Sequence, residues 1–159
     1  MTPDATIFEV FRRHGVAFIV IGGHAVYFHG YERLTEDTDI IWLRTPSAEA
    51  ALLSALTEIE ACYIGKEIDP STGLERLYPV SLSYIRASHL MMLWTRHGFV
   101  DIFDYIPGFP NEDVRQIFST SLAAHGYGYP SLEWLRKMKK ASGRSKDMLD
   151  LENLPDVER

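Results

Sequence analysis

The chain has a single cysteine, Cys62, which excludes an internal disulfide framework and gives no cysteine-built zinc cluster. It also has little positive charge. Sixteen Lys and Arg against 22 Asp and Glu leave a formal charge of −6, so no global basic surface draws in nucleic acid, and a polyanionic partner would need a local basic patch. No apolar run reaches the length of a membrane-crossing helix. The opening segment, MTPDATIFEVFRRHG, lacks the basic-then-apolar order of a secretory leader, so the expectation is a cytoplasmic protein with no membrane contact. Repeats and low-complexity tracts are missing too. What the 159 residues do contain is 46% hydrophobic content, enough for one domain over 1–159 with a real core.

Hydrophobic patterning predicts a helix over 4–14, with Ile7, Phe8, Val10 and Phe11 on its apolar face and Gly15 at its end. A strand over 17–21, a helix over 23–29 stopped by Gly30, and a strand over 38–43 follow. Pro46 and Ser47 open a helix over 46–61. Residues 64–82 read as irregular, punctuated by Gly65, Asp69-Pro70, Gly73 and Pro79. Tyr84–Trp94 and Phe99–Ile106 predict two strands joined by a four-residue loop, Thr95–Gly98. A short helix over 111–119 and an extended piece over 125–129 lead to Ser131, a fitting N-cap for a helix broken at Gly143, and a last helix covers 144–154. The sum is an α/β domain with a mixed central sheet, helices mainly on one face, and a C-terminal helical segment, 131–154, packed on it.

The densest pattern lies in residues 17–43, AFIVIGGHAVYFHGYERLTEDTDIIWL. An unbroken apolar run, Ala17–Ile21, has the pattern of a buried strand and ends in Gly22-Gly23. Thirteen residues later come Asp37 and Asp39, leading into the apolar Ile40–Leu43. Side chains alternate across a strand, so both carboxylates point to one side. Two acids held together repel and tend to stay protonated, whereas a hard divalent cation such as Mg²⁺ or Mn²⁺ removes that cost. The bland alternative is a strand-ending turn followed by a solvated, capping Asp-x-Asp. Asp101 and Asp104 sit three apart on the later strand, hence on opposite faces, so only one of them can join the first two acids.

In order and spacing, the Gly pair, Arg33, Thr35, Asp37 and Asp39 resemble the signature of the polymerase-beta-type nucleotidyltransferase superfamily. The fuller string GGHAVYFHG–YERLTEDTDI is similar to small bacterial nucleotidyltransferase-like proteins related to the AbiEii-type toxins, in which Arg-x-Thr-x-Asp-x-Asp recurs. Asp101, following Gly98 and an apolar pair, fits the register of that family's third acid; the alternative is an edge-strand charge that guards against aggregation. The tail, SLEWLRKMKKASGRSKDMLDLENL, resembles the same family's closing segment, with Lys139, Gly143, Arg144, Lys146, Asp147 and Asp150 at matching places.

The resemblance implies a nucleotidyltransferase-like fold and a metal-dependent enzyme. Such an enzyme moves a nucleoside monophosphate from a nucleoside triphosphate to an acceptor hydroxyl on RNA, protein or a small molecule, in a toxin–antitoxin setting with a partner protein. Asp37, Asp39 and Asp101 would then be metal ligands and catalytic groups. Gly22, Gly23, Arg33, Thr35, Lys139, Arg144 and Lys146 would bind the nucleotide, the cations offsetting phosphate charge. Two alternatives stay open: a catalytically inert nucleotidyltransferase-fold binding or antitoxin partner, and an interaction module built on the basic C-terminal helix, whose charges could also be a solvated surface.

Overall fold

The computed structural model describes residues 3–35 and 37–157. One mixed sheet of eight strands organises it, in the spatial order β4-β3-β5-β6-β2-β1-β8-β7. The strands are β1 (Phe18–Ile21), β2 (Thr38–Trp42), β3 (Cys62–Ile68), β4 (Glu75–Pro79), β5 (Leu90–Thr95), β6 (Gly98–Phe103), β7 (Leu122–Ala124) and β8 (Tyr127–Tyr129). Between them run the helices α1 (Pro3–Arg13), α2 (Gly22–Phe28), α3 (Pro46–Glu58), α4 (Leu82–Ala87), α5 (Arg115–Ser119), α6 (Leu132–Ser142) and α7 (Ser145–Asn153). The sheet is mixed because β2 lies antiparallel to β1 and parallel to β6.

Helices cover both faces of this sheet, not mainly one. The reason lies in β1 and β2, whose consecutive apolar residues leave neither side polar. Val20, Ile40 and Trp42 pack with α1, α3 and Ile85 of α4. Their neighbours Ile19, Ile21 and Ile41 pack on the opposite side with Ile117 of α5 and Met138 of α6. That second face is covered only in part. Along β5, Met91 and Leu93 are buried, while Met92 and Trp94 stay exposed beyond the reach of α5 and α6.

Four sequence expectations fail here. Residues 64–82 are not irregular: β3 and β4 form an antiparallel hairpin, and the Asp69–Gly73 stretch is the turn between them. Nor does a strand begin at Tyr84. Ser81 accepts a hydrogen bond from the Tyr84 amide and starts α4, so β5 begins only at Leu90. The loop after β5 is also tighter than expected, since Thr95 and Gly98 are themselves a cross-strand pair. The segment before α6 is a hairpin of two short strands, β7 and β8, rather than one extended piece. Ser131 caps α6 by accepting from the Trp134 amide, and Gly143, with φ 65°, ends it in the left-handed conformation.

Candidate active site

The acids come together because three strands bring them there. Ile21, the last residue of β1, lies opposite Asp39 on β2, and Asp39 lies opposite Asp101 on β6. Asp37 precedes Asp39 by two residues and shares its side of the strand. This is the face of Ile41 and Met138, where α6 packs. Asp104 turns the other way. It accepts from Arg44 Nε at 2.9 Å and pairs with His89 Nδ1 at 3.0 Å, while Arg44 also holds Glu49 and lies over the Trp42 ring.

Crowding shows in the proton affinities. The Asp39 carboxyl is pushed up to about 6, first by burial, then by the charges of Asp101 and Asp37 and a hydrogen bond with Asp101, with Lys139 acting in the opposite sense. Burial and the Asp37 charge raise Asp101 as well, against the effect of its hydrogen bond with Asp39. Both carboxyls therefore hold their protons to higher pH than an ordinary aspartate. The repulsion read from the sequence is present, and it spans β6 as well as β2.

The glycines are there for close approach. Gly22 has φ +66°, and a Cβ on it would run into the Asp39 carboxylate. A Cβ on Gly23 would lie 2.8 Å from Thr35 Oγ1 and 3.0 Å from Arg33 Nη1. So the Gly pair lets the Arg33–Thr35 segment and β2 close against the end of β1. The amides that open α2 have no helical carbonyl to serve, although α2 is only seven residues long and brings little helix dipole.

The C-terminal helices supply the basic side. Lys139 is buried, and its Nζ lies 3.2 Å from Asp147 and 2.9 Å from Asp150. Arg33 donates to Asp150 from Nε at 2.6 Å and Nη2 at 2.8 Å. Arg144 donates to Asp147 from Nε at 2.8 Å. Burial would raise the Asp147 carboxyl, but hydrogen bonds from Arg144, Ser142 and Lys139 outweigh it and hold the group well below the usual carboxylate range. Asp150 is depressed in the same way, burial being outweighed by Arg33 and Lys139. Lys146 is exposed. Nothing in the local spacing shows the grip of Asp147 and Asp150 on Lys139 or of Asp150 on Arg33.

The ten residues that the resemblance assigns to metal or nucleotide line one cavity of about 160 Å³: Gly22, Gly23, Arg33 and Thr35; Asp37, Asp39 and Asp101; Lys139, Arg144 and Lys146. Phe103 completes the lining and was not anticipated, although it follows Asp101 by two residues and so shares its face. Larger hollows flank this cavity. One of about 440 Å³ runs between Phe103, the Pro107-Gly108 turn and α6. Another of about 240 Å³ lies beyond Asp37 and Asp101 against Met92, Trp94 and Phe99. Histidines 24 and 29 are structural: His24 packs edge-on against Phe8, and His29 Nε2 lies 2.8 Å from the Pro130 carbonyl.

The donor set fits a hard divalent cation, with three carboxylates in a half-buried hollow whose mutual repulsion a cation would relieve. Among the described residues, however, no group of three His, Cys, Asp or Glu side chains stands in ready metal-holding geometry. A cation there would need oxygens from a ligand to complete its shell. Among the described residues no helix is long and apolar enough to cross a membrane.

No protein-family model matches the chain, and no curated protein matches it. Solved structures do. JHP933 from Helicobacter pylori aligns over 94% of this chain at 13% identity with a TM-score of 0.46, and a second H. pylori structure, described as a "putative nucleotidyltransferase", aligns over 94% at 13% identity with a TM-score of 0.47. The chain spans 63% and 65% of the length of those two proteins. Likeness at this level carries no functional weight; the site's own geometry must do so.

Proposed function

We propose that this chain is a nucleotidyltransferase-fold enzyme that transfers a nucleoside monophosphate from a nucleoside triphosphate to an acceptor hydroxyl. The observation that carries the reading is the single cavity that gathers the Gly pair, three acids and four cations from four separate stretches of sequence. Asp37, Asp39 and Asp101 would hold Mg²⁺ or Mn²⁺, which when bound offsets triphosphate charge and acidifies an acceptor hydroxyl. The opening amides of α2 and the side chains of Arg144 and Lys146 meet the phosphates. Lys139 and Arg33 stand behind them, fixed by Asp150. Asp101 takes the proton of the acceptor hydroxyl, whose oxygen attacks the α-phosphorus as the bond to the β-phosphate oxygen breaks and pyrophosphate leaves. The acceptor enters from the side of Trp94 and Phe99, where the hollow opens onto Asp101. Whether the acceptor is RNA, protein or a small molecule, and whether a toxin–antitoxin partner is engaged, are further parts of the proposal to be tested with labelled triphosphates and lysate fractions.

The reading is tested by calorimetry with Mg²⁺ and triphosphate. Metal alone should bind weakly, and metal with nucleotide far better. The double variant Asp37→Asn, Asp39→Asn should lose that coupling while remaining folded. Undiminished metal-dependent nucleotide binding in the double variant would refute the site. A fold that binds partners without chemistry gives no pyrophosphate release with any acceptor fraction.

A further inference from the structure

The 440 Å³ hollow beside the acid cavity has no role in the steps above, yet it shares Gly22, Asp39, Phe103, Lys139 and Arg144 with that cavity. Its volume falls in the range of small-molecule sites. Its walls are Ile21 and Phe103 on the sheet, the Pro107-Gly108 turn, and Leu135, Met138 and Ala141 on α6. The outer wall is a tight contact: Gly108, with φ +88°, lies so close to α6 that a Cβ on it would be 2.6 Å from the Cβ of Ala141.

Each described polar side chain at its border has a partner. Ser142 and Arg144 bond to Asp147, Lys139 bridges Asp147 and Asp150, and Asp39 belongs to the acid cluster. So the space continues directly from the phosphate-binding groups and is apolar over most of its lining, and each described polar side chain at its border already has a partner.

We infer that this hollow receives the base and ribose of the triphosphate and recognises the base by shape and apolar contact alone, so that the chain accepts purine and pyrimidine triphosphates alike. The inference rests on the proposed function, because the triphosphate must occupy the adjoining cavity. An apolar pocket separates near-isosteric ligands by roughly ten- to two-hundredfold, whereas a site built to hydrogen-bond its ligand separates them by about 10⁴-fold or more. This lining belongs to the first kind.

Calorimetry in Mg²⁺ with ATP, GTP, CTP, UTP and tripolyphosphate tests the inference on the full chain. The four nucleotides should bind within about a hundredfold of one another and each at least about tenfold tighter than tripolyphosphate, which fills only the phosphate groups' share of the site. Ala141→Phe, which fills the hollow from an exposed position on α6, should bring the nucleotides down to the tripolyphosphate level and leave tripolyphosphate unchanged. A preference of more than a hundredfold for one base overturns the inference, as does a folded Ala141→Phe protein that keeps the nucleotide advantage. Nucleotides binding no tighter than tripolyphosphate in the unmodified chain overturn it without touching the proposed function. If neither nucleotides nor tripolyphosphate bind, the proposed function itself falls, and the inference with it. The wild-type series needs no variant, so a misfolded Ala141→Phe protein leaves the inference fully exposed to refutation.

Discussion

Asp39 and Asp101 face each other across neighbouring parallel strands, the carboxyl of each raised by burial and by the charge of Asp37. The sheet thus crowds two partly buried carboxyls against the exposed Asp37, and a bound cation would relieve their repulsion.

The cost appears as a pH dependence. The folded chain holds the Asp39 proton up to about pH 6, against an ordinary value of 3.8. The native state therefore binds more protons than the unfolded one between about pH 4 and pH 6, and stability falls as pH rises through that window. Asp39→Asn should gain up to about 3 kcal/mol at pH 7.5, less after solvent screening, since each pKa unit corresponds to about 1.4 kcal/mol. Thermal melts should show a higher midpoint for the variant at pH 7.5 and none at pH 4. An equal gain at both values would show that the repulsion is not the cause.

The two later acids should separate cleanly. Asp101→Asn should abolish transfer while leaving nucleotide binding largely intact, because its proposed work is done at the attacking hydroxyl. Asp104→Asn should leave the chemistry alone but cost stability, about 1.5–3 kcal/mol, because a nearly buried charge-assisted pair with Arg44 is lost. Single-turnover assays and denaturant melts on both variants distinguish these outcomes; interchanged phenotypes would mean the β6 register has been misread.

Lys139 and Lys146 should differ in kind. Lys139→Ala leaves two buried carboxylates short of a partner and should destabilise the fold by about 3–5 kcal/mol, whatever it does to binding. Lys146 is exposed, so Lys146→Ala should change stability by less than about 0.5 kcal/mol. If Lys146 meets phosphate, that variant should still weaken triphosphate binding roughly tenfold and leave nucleoside binding unchanged. Equal loss for both ligands would assign Lys146 to the surface.

Gly22→Ala is expected to damage the site more than the fold. The left-handed backbone costs an L-residue about 1–2 kcal/mol, and the added methyl drives the Asp39 carboxylate aside. Metal-coupled nucleotide binding should be lost in a protein whose circular dichroism stays native. Gly15→Ala, with φ +76° and nothing near its Cβ, is the control that carries the backbone cost alone.

Local pattern made the heart of this molecule readable. The run from Phe18 to Trp42 folds much as its apolar blocks and Gly pair suggest, since each element there is set by its own residues. The β3–β4 hairpin was missed because its strands are largely exposed and show no apolar alternation, so the turn residues around Asp69–Gly73 dominated the pattern. Tyr84–Ala87 looked extended, but the Ser81 cap decides for helix. The candidate site residues came from spacing and from the family resemblance, and neither shows what holds them. Lys139 reads as a phosphate ligand in the sequence, and only the fold gives it Asp147 and Asp150.

The bond between Arg33 and Asp150 spans 117 residues. A ribosome releases the Gly turn and the acids of β2 long before it makes α7, and Lys139 likewise waits for Asp147 and Asp150. Through most of its synthesis the growing chain carries the acids with no ordered cations facing them, and long-range contacts of this kind are the slowest to form. The cavity therefore cannot be complete before α7 has been made and has docked. A nascent or truncated chain lacking α7 would hold the acidic half of the site while being unable to grip a triphosphate.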